Sequence, residues 1–411
     1  MARSLGLAAY RALTRRAELP QDKPPASRPK GELVWLHAGE IKNLLAVRDL
    51  AVRLVAARSG LNVLVTLPHD DGIASSLGTA DRHGPILQIV APSEHPAAVA
   101  AFLDHWLPNA GVWIWGDLRP NLILEATDRG CALYFIDADV GGLDKRQNRW
   151  LPDLTRQVLS RFSKVFARSA AGHRKLVQLG LSRETLEQTT PLLAGGQALP
   201  CSESDLTELS AAMGGRPAWF AARALPKEIP VILSAHARAS RLSHRLLLIL
   251  QPASASQLDD VLMQTAEMNL NTARWAEGQF PDENTQVLIS EDTEDRGLFF
   301  RLAPVSFLGS TLVQGEDGCD PLDAAALGSA ILYGPRVRHY VASYSRLAAA
   351  GAARIVNDAD ALGAAVSSLI APDHAAAMAH AGWDVISQGA ALTDRVVDLV
   401  QDTLDHEMSR P

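Results

Sequence analysis

A chain of 411 residues is too long for one ordinary hydrophobic core, so two domains of roughly 200 residues each are expected. A composition of 47% hydrophobic and 21% charged residues leaves no case for general disorder, and a net charge of −7 argues against a nucleic-acid partner held by a generally basic surface. Cys131, Cys201 and Cys319 are widely separated and odd in number, with no C-x-x-C, which suggests neither a disulfide framework nor a cysteine zinc site and fits a reducing compartment.

The chain opens on a local basic patch. Arg3, Arg11, Arg15 and Arg16 surround Leu5, Leu7, Tyr10 and Leu13, and acidic residues begin only at Glu18. This reads as a basic amphipathic helix over 1–17, too short and interrupted to span a bilayer and without a clear signal-peptide cleavage pattern, so the protein is read as staying on the cytoplasmic side. Such a helix can lie on an anionic membrane face or pack against the core. After a Pro-, Lys- and Ser-rich linker, 18–30, a strand at 33–37 runs into the small turn Ala38-Gly39, and a helical pattern follows with Ile41, Leu44, Leu45, Val47 and Leu50. In open α/β sheets the first such loop lies at the carboxyl edge of the strands, where helix N-termini point free N–H groups into a crevice.

Strands at 33–37, 62–66, 86–90, 111–115, 132–136 and 164–167 alternate with helices at 43–58, 95–106, 119–129 and 170–180, the signature of a doubly wound, mostly parallel sheet. Periodicity breaks down between Thr189 and Ser204. A second series then follows, with strands at 217–221, 245–250, 286–290, 304–308 and 330–333 and helices at 204–213, 255–267, 322–328 and 340–350. The Ala-rich tail, 358–410, is helical, with Pro372 its only internal breaker. The organisation read from this pattern is a Rossmann-like domain over 31–195, a second over 204–390 and a terminal helix over 391–411.

Neither half carries G-x-G-x-x-G after a strand or G-x-x-x-x-G-K-[ST], and H-E-x-x-H and G-x-S-x-G are absent. Asp137-Ala138-Asp139 looks like the D-x-D with which some sugar transferases hold a divalent metal, but Asp at such a turn usually serves local backbone hydrogen bonds. Gly315-Glu316-Asp317-Gly318-Cys319-Asp320 lacks the length and ligand spacing of a calcium loop. His37, ending an apolar strand, reads as a hydrogen-bonded structural histidine, and Trp113 and Trp115 as core or wall.

Several segments together resemble one family. Val34-Trp35-Leu36-His37-Ala38 resembles the W-L-H-A-A-S-V-G-E motif of the 3-deoxy-D-manno-octulosonic acid (Kdo) transferases of lipopolysaccharide synthesis. Phe102-Leu103-Asp104-His105-Trp106-Leu107-Pro108 is similar to their F-L-x-x-W-x-P, and Asp117-Leu118-Arg119-Pro120-Asn121-Leu122 to their E-L-W-P-N-L. Gly215-Arg216-Pro217-Ala218-Trp219, Gly297-Leu298-Phe299-Phe300, Gly309-Ser310-Thr311-Leu312-Val313, Asp320-Pro321-Leu322-Asp323-Ala324-Ala325 and Tyr333-Gly334-Pro335 follow in the family's order. The resemblance implies a GT-B fold, two Rossmann-like doubly wound domains facing a cleft. It implies a metal-independent inverting transferase with no cofactor, taking CMP-Kdo on the C-terminal half and a lipid IVA-like acceptor on the N-terminal half. It also implies peripheral association with the cytoplasmic face of the bacterial inner membrane, for which Arg3, Arg11, Arg15 and Arg16 supply charge.

The chain departs from the family pattern where chemistry is concentrated. The family's general-base Glu falls on Asn43, whose amide cannot accept a proton from a sugar hydroxyl. Glu40, three residues earlier, shares a helical face with it and is either the displaced base or a helix-capping acid. The paired acids before L-W-P-N appear as Trp115 and Asp117, the lysine of G-N-L-K-F-D has no basic equivalent in Ala194-Gly195-Gly196-Gln197-Ala198, and P-R-H is represented by Gln251-Pro252-Ala253. On this reading Glu40 is the base, Asp117 organises the acceptor side, and Gly309, Ser310, Asp320, Asp323 and Arg223 line the donor side, with Lys227, Arg336 and Arg338 as further sources of charge. A catalytically inactive relative acting in binding or regulation, and a transferase of altered donor or acceptor, are the alternatives.

Overall fold

The computed structural model describes residues 5–16, 27–40, 43–68, 84–139, 152–196, 198–292, 294–314 and 318–408. Arg3, Ile41, Gln197 and residues 315–317 of the acidic loop lie outside this set. The chain divides into two compact units, residues 1–194 together with 389–411, and residues 195–388.

The first unit is built on a parallel sheet in the order β3-β2-β1-β4-β5-β6-β7. Its strands are β1 (Leu33–Ala38), β2 (Asn62–Leu67), β3 (Ile86–Val90), β4 (Ala110–Ile114), β5 (Ala132–Ala138), β6 (Lys164–Ala167) and β7 (Leu186–Gln188). The helices are α1 (Leu5–Thr14), α2 (Leu44–Ala57), α3 (Pro96–Trp106), α4 (Pro120–Asp128), α5 (Pro152–Leu159), α6 (Ala170–Gln178) and, from the far end of the chain, α15 (Ala390–Met408). Successive strand residues point to opposite faces. Trp35, Trp113, Leu133 and Phe135 therefore face α3, α4 and α5, whereas Val34, Leu36, Val112, Ile114 and Ile136 face α2 and α15. A sheet covered on both sides explains why these strands read as unbroken apolar runs.

The second unit repeats the plan with the parallel order β10-β11-β9-β8-β12-β13-β14. Its strands are β8 (Ala218–Ala224), β9 (Leu247–Pro252), β10 (Thr272–Arg274), β11 (Val287–Ile289), β12 (Val305–Leu308), β13 (Ala330–Tyr333) and β14 (Ala353–Ile355). Helices α7 (Glu203–Met213), α8 (Ile229–Ser240), α9 (Leu258–Glu267), α10 (Arg296–Leu302), α11 (Pro321–Ala326), α12 (Val341–Ala349), α13 (Ala359–Leu369) and α14 (Pro372–Ser387) complete it. Trp219, Leu248, Leu250, Val305 and Phe307 form one core layer with Ile232 and Leu233 of α8 and Leu362 and Val366 of α13. On the other face Phe220 packs between Phe299 and Phe300 at ring separations of 5.5 and 5.2 Å. The Ala-rich tail breaks at Pro372, the first residue of α14, as its sequence predicts, and again before Gly389.

Each unit is a Rossmann-like α/β lobe built on a parallel sheet, the two doubly wound domains that the resemblance to a GT-B family implies. No helix among the described residues is long and apolar enough to cross a membrane.

Candidate functional site

Strand order reverses between β1 and β4 in the first unit and between β8 and β12 in the second, so in each the loops leaving those two strands flank the switch point at which parallel α/β sheets bind ligands. In the first unit the two loops touch. A Cβ on Gly39 would lie 2.6 Å from the Gly116 Cα, so only glycine permits this approach. Glu40 and Asp117 directly follow these glycines, the first half-buried and the second exposed. Asn43 lies one turn beyond Glu40, its N–H donating to the Glu40 carbonyl at 3.1 Å and its side-chain amide to the Trp115 carbonyl at 3.3 Å. An amide donating to a backbone carbonyl braces the two loops and accepts no proton.

Beside this edge lies a group that the sequence reading passed over. Glu94 accepts from the backbone N–H groups of Asn121 at 2.8 Å and Leu122 at 3.2 Å and from the Tyr10 hydroxyl at 3.1 Å, with Arg119 Nε 3.8 Å away. It thereby caps α4, which begins at Pro120 and lacks a capping side chain at Arg119. Burial pushes the Glu94 carboxyl above its ordinary range against the opposing pull of these donors and Arg119. The sequence signal was there to find: a helix starting at proline after arginine needs an acceptor from elsewhere.

Tyr10 also settles how α1 attaches. Leu7 and Tyr10 pack against the core, Thr14 accepts from Asn121 at 3.0 Å, and Leu13, Arg15 and Arg16 are left exposed, with Arg11 half-buried. His37 is buried between Thr66 and Trp113, its Nδ1 2.8 Å from the Thr66 hydroxyl and its ring centroid 3.9 Å from that of Trp113. Trp113 and Trp115 are core residues. Asp139 pairs with Arg168 and accepts from the Ser169 hydroxyl at 3.0 Å, while Asp137 accepts from the Leu192 N–H at 3.1 Å. The D-x-D carboxylates are thus engaged in tying loops together, and no cluster of His, Cys, Asp or Glu able to hold a metal occurs among the described residues.

At the corresponding edge of the second unit the structure gathers the residues singled out from sequence. A Cβ on Gly309 would lie 2.6 Å from the Arg223 carbonyl oxygen, and the Ser310 hydroxyl donates to that same oxygen at 2.9 Å. Arg223 and Ser310 both hold left-handed backbone, φ 53° and 59°. Asp320 caps α11 by accepting from the Leu322 N–H at 3.0 Å, and Asp323 sits in the first turn of that helix. Burial pushes the adjacent Cys319 thiol up to about 11; the cations Arg296 and Arg223 pull it down while Asp323 and Asp320 push it up. Asp320, Asp323 and Arg223 act on Tyr340 as well, whose hydroxyl burial raises. These four charged groups therefore all act on the Cys319 position. Arg296 was not expected there; Lys227, Arg336 and Arg338 are exposed. Gln251, in place of the family's P-R-H, is fully buried and donates to the Asp292 carbonyl at 2.5 Å.

The second residue missed from sequence is Glu228, fully buried at the start of α8. One carboxylate oxygen accepts from the N–H groups of Ser310 at 2.6 Å and Leu225 at 3.0 Å, the other from Thr311 at 2.9 Å and Leu312 at 2.7 Å. It locks the loops after β8 and β12 together.

Residues 11–192 match the family model described as 3-deoxy-D-manno-octulosonic-acid transferase (kdotransferase). The 3-deoxy-D-manno-octulosonic acid transferase of Bordetella pertussis is 26% identical over 390 residues, 92% of this chain and 89% of its own length. The chain is similar to the Kdo transferases along nearly its whole length. The like-named protein of Haemophilus influenzae is 21% identical over 389 residues, 93% of this chain and 90% of its own. That of Rickettsia felis is 25% identical over 305 residues, 74% of this chain, which spans 64% of it. Where the Kdo transferase resemblance expects the catalytic base, this chain has an amide held on a carbonyl. Glu40 and Asp117 are the carboxylates that directly follow the two touching glycines at this edge.

Proposed function

We propose that the protein is a glycosyltransferase that moves Kdo or a related acidic sugar from a CMP donor to a lipid A precursor on the cytoplasmic face of the inner membrane. The observation that carries this reading is the glycine contact that sets the Glu40 and Asp117 backbones at adjoining points of the carboxyl edge. Glu40 takes the proton of the acceptor hydroxyl as its oxygen attacks the anomeric carbon, and the bond to the CMP phosphate oxygen breaks, leaving CMP with the electron pair. Asp117, exposed, orients the acceptor. In the second unit Arg223 and Arg296 offset phosphate charge and Asp320 and Asp323 meet donor hydroxyls. With Leu7 and Tyr10 committed to the core, Leu13 of α1 and Arg15 and Arg16 just beyond it face anionic lipid, with Arg3 and Arg11 adding charge.

The test is transfer from CMP-Kdo to lipid IVA by the purified protein. Glu40→Gln is expected to lower kcat by about 10² to 10⁴ with donor binding unchanged, the range for loss of a general base. Absence of transfer by the parent, beside an active Kdo transferase, defeats the proposal. The engaged amide of Asn43 favours a second reading, a non-catalytic binding or regulatory relative; calorimetry with CMP separates them, since a scaffold without a nucleotide site gives no heat.

A further inference from the structure

The backbone N–H groups at the switch point of the second unit are already occupied by the protein itself. Ser310, Thr311 and Leu312 are consecutive residues whose N–H groups converge, with Ser310 at φ 59°, the concave arrangement that binds anions. The anion they bind is Glu228. Each of its oxygens takes two N–H donors, and the carboxylate is fully buried. The start of α8 is likewise used internally, because the N–H groups of Glu228 and Ile229 both donate to the Leu225 carbonyl, at 2.8 and 3.2 Å, and Pro230 has none.

We propose that Glu228 is a built-in anion that closes the backbone phosphate nest of the second unit, and that it thereby makes the donor site selective for nucleotides with one phosphate over nucleoside diphosphates. The second half of this proposal rests on the nucleotide-sugar reading above; the first does not. With the nest filled, phosphate is held by side-chain cations, Arg223 and Arg296, beside Asp320 and Asp323. A second phosphate group finds no free amide in the nest and meets a fixed carboxylate of its own sign. Glu228 acts as a positioning residue. It touches neither sugar nor phosphate, and it holds Ser310 in a left-handed conformation that a residue with a Cβ takes at a cost.

The experiment uses the full chain and the variants Glu228→Ala and Glu228→Gln. Calorimetry measures CMP and CDP binding, and thermal unfolding is followed against formate at constant ionic strength. The parent binds CMP more tightly than CDP and does not respond to formate. Glu228→Ala is expected to shift the CDP-to-CMP affinity ratio toward CDP by about tenfold and to gain a saturable rise in thermal midpoint with formate, which refills the nest. If Glu228→Ala does not fold, Glu228→Gln, which keeps the volume and removes the charge, carries the nucleotide comparison with a shift of about threefold. A variant that weakens CMP and CDP in proportion overturns the selectivity, because a purely structural role leaves the ratio fixed. A folded Glu228→Ala indifferent to formate overturns the nest. A parent that binds neither nucleotide ends the nucleotide reading and the selectivity with it, while the formate response still decides whether the nest is an anion site.

Discussion

Two buried histidines show how single side chains set the conditions under which this molecule is stable. His37 and His236 are each 1% exposed, and burial holds both imidazoles below their ordinary pKa, with Arg119 adding to the effect on the first and Arg216 on the second. For His236 the value falls to about 4. The Trp219 indole N–H donates to its Nδ1 at 3.2 Å, so a second proton on the ring would meet a donor instead of an acceptor. The folded-state pKa lies below the unfolded value of 6.5, so the unfolded chain binds the proton first as pH falls. The contribution is complete above 6.5, declines toward 4 and is flat below. At pH 5 the loss from His236 alone is on the order of 2 kcal/mol. Urea unfolding of the parent and of His236→Gln at pH 7.5 and pH 5 checks this: the variant is expected to lose about 2 kcal/mol less than the parent over that interval. Equal losses would show that His236 is not held neutral.

At the scale of elements, a strand or helix was legible where burial alone explained it and hidden where a neighbour did the explaining. Leu33 to Leu36, Val63 to Val65 and Val112 to Ile114 are buried on both faces of a parallel sheet, and their apolar runs leave little choice of reading. Edge strands β7 and β14 have one buried residue each, so their sequences carry no run to recognise. Helix α8 was not seen because Pro226 and Pro230 make its start look like a loop, although Ile229, Ile232, Leu233 and His236 form its buried stripe. In the proposed reaction the loops carry the chemistry, and they are positioned by contacts such as that of Gly39 with Gly116. Alanine at position 39 would place its Cβ 2.6 Å from the Gly116 Cα and 2.8 Å from the Ile114 carbonyl oxygen. Backbone must shift, at a cost of about 1 to 3 kcal/mol. If Glu40 and Asp117 act as proposed, displacing them by about 1 Å is enough to lower turnover roughly a hundredfold. Gly39→Ala is therefore expected to remain folded while losing far more transfer than stability, measured by urea midpoint beside initial rate. A variant with the parent's turnover would mean that this contact does not position the reacting groups.

Over the whole molecule, the residues that sequence could not supply are those whose partners lie far along the chain. Gly309, Ser310, Asp320 and Asp323 were legible because they sit in one stretch with family-like spacing, and the structure brings Arg223 to them. Glu228 acts on backbone N–H groups 82 to 84 residues away and Glu94 on those 27 and 28 away, and no local pattern announces such a bond. The longest-range dependence of this kind is α15, which follows the second unit in sequence and belongs to the first. Leu392, Val396, Val400 and Leu404 recur at intervals of four along one stripe, each at most 1% exposed, against the face of the sheet that also carries α2. Arg58 ties the same helix down, pairing with Asp405 at 2.7 Å and Glu32 at 2.6 Å, and Gln401 donates to the Ala57 carbonyl at 3.1 Å. Four buried aliphatic side chains at about 1.5 to 3 kcal/mol each contribute on the order of 8 kcal/mol. That is comparable to the whole stability margin of an ordinary domain, about 5 to 15 kcal/mol. Removing residues 389–411 is therefore expected to leave the first unit unfolded while residues 195–388 keep their fold. Limited proteolysis with mass analysis reads this directly: fragments from the first unit should vanish early and a resistant core from the second should persist. Equal resistance of both would show that the sheet of the first unit holds without the helix that closes it.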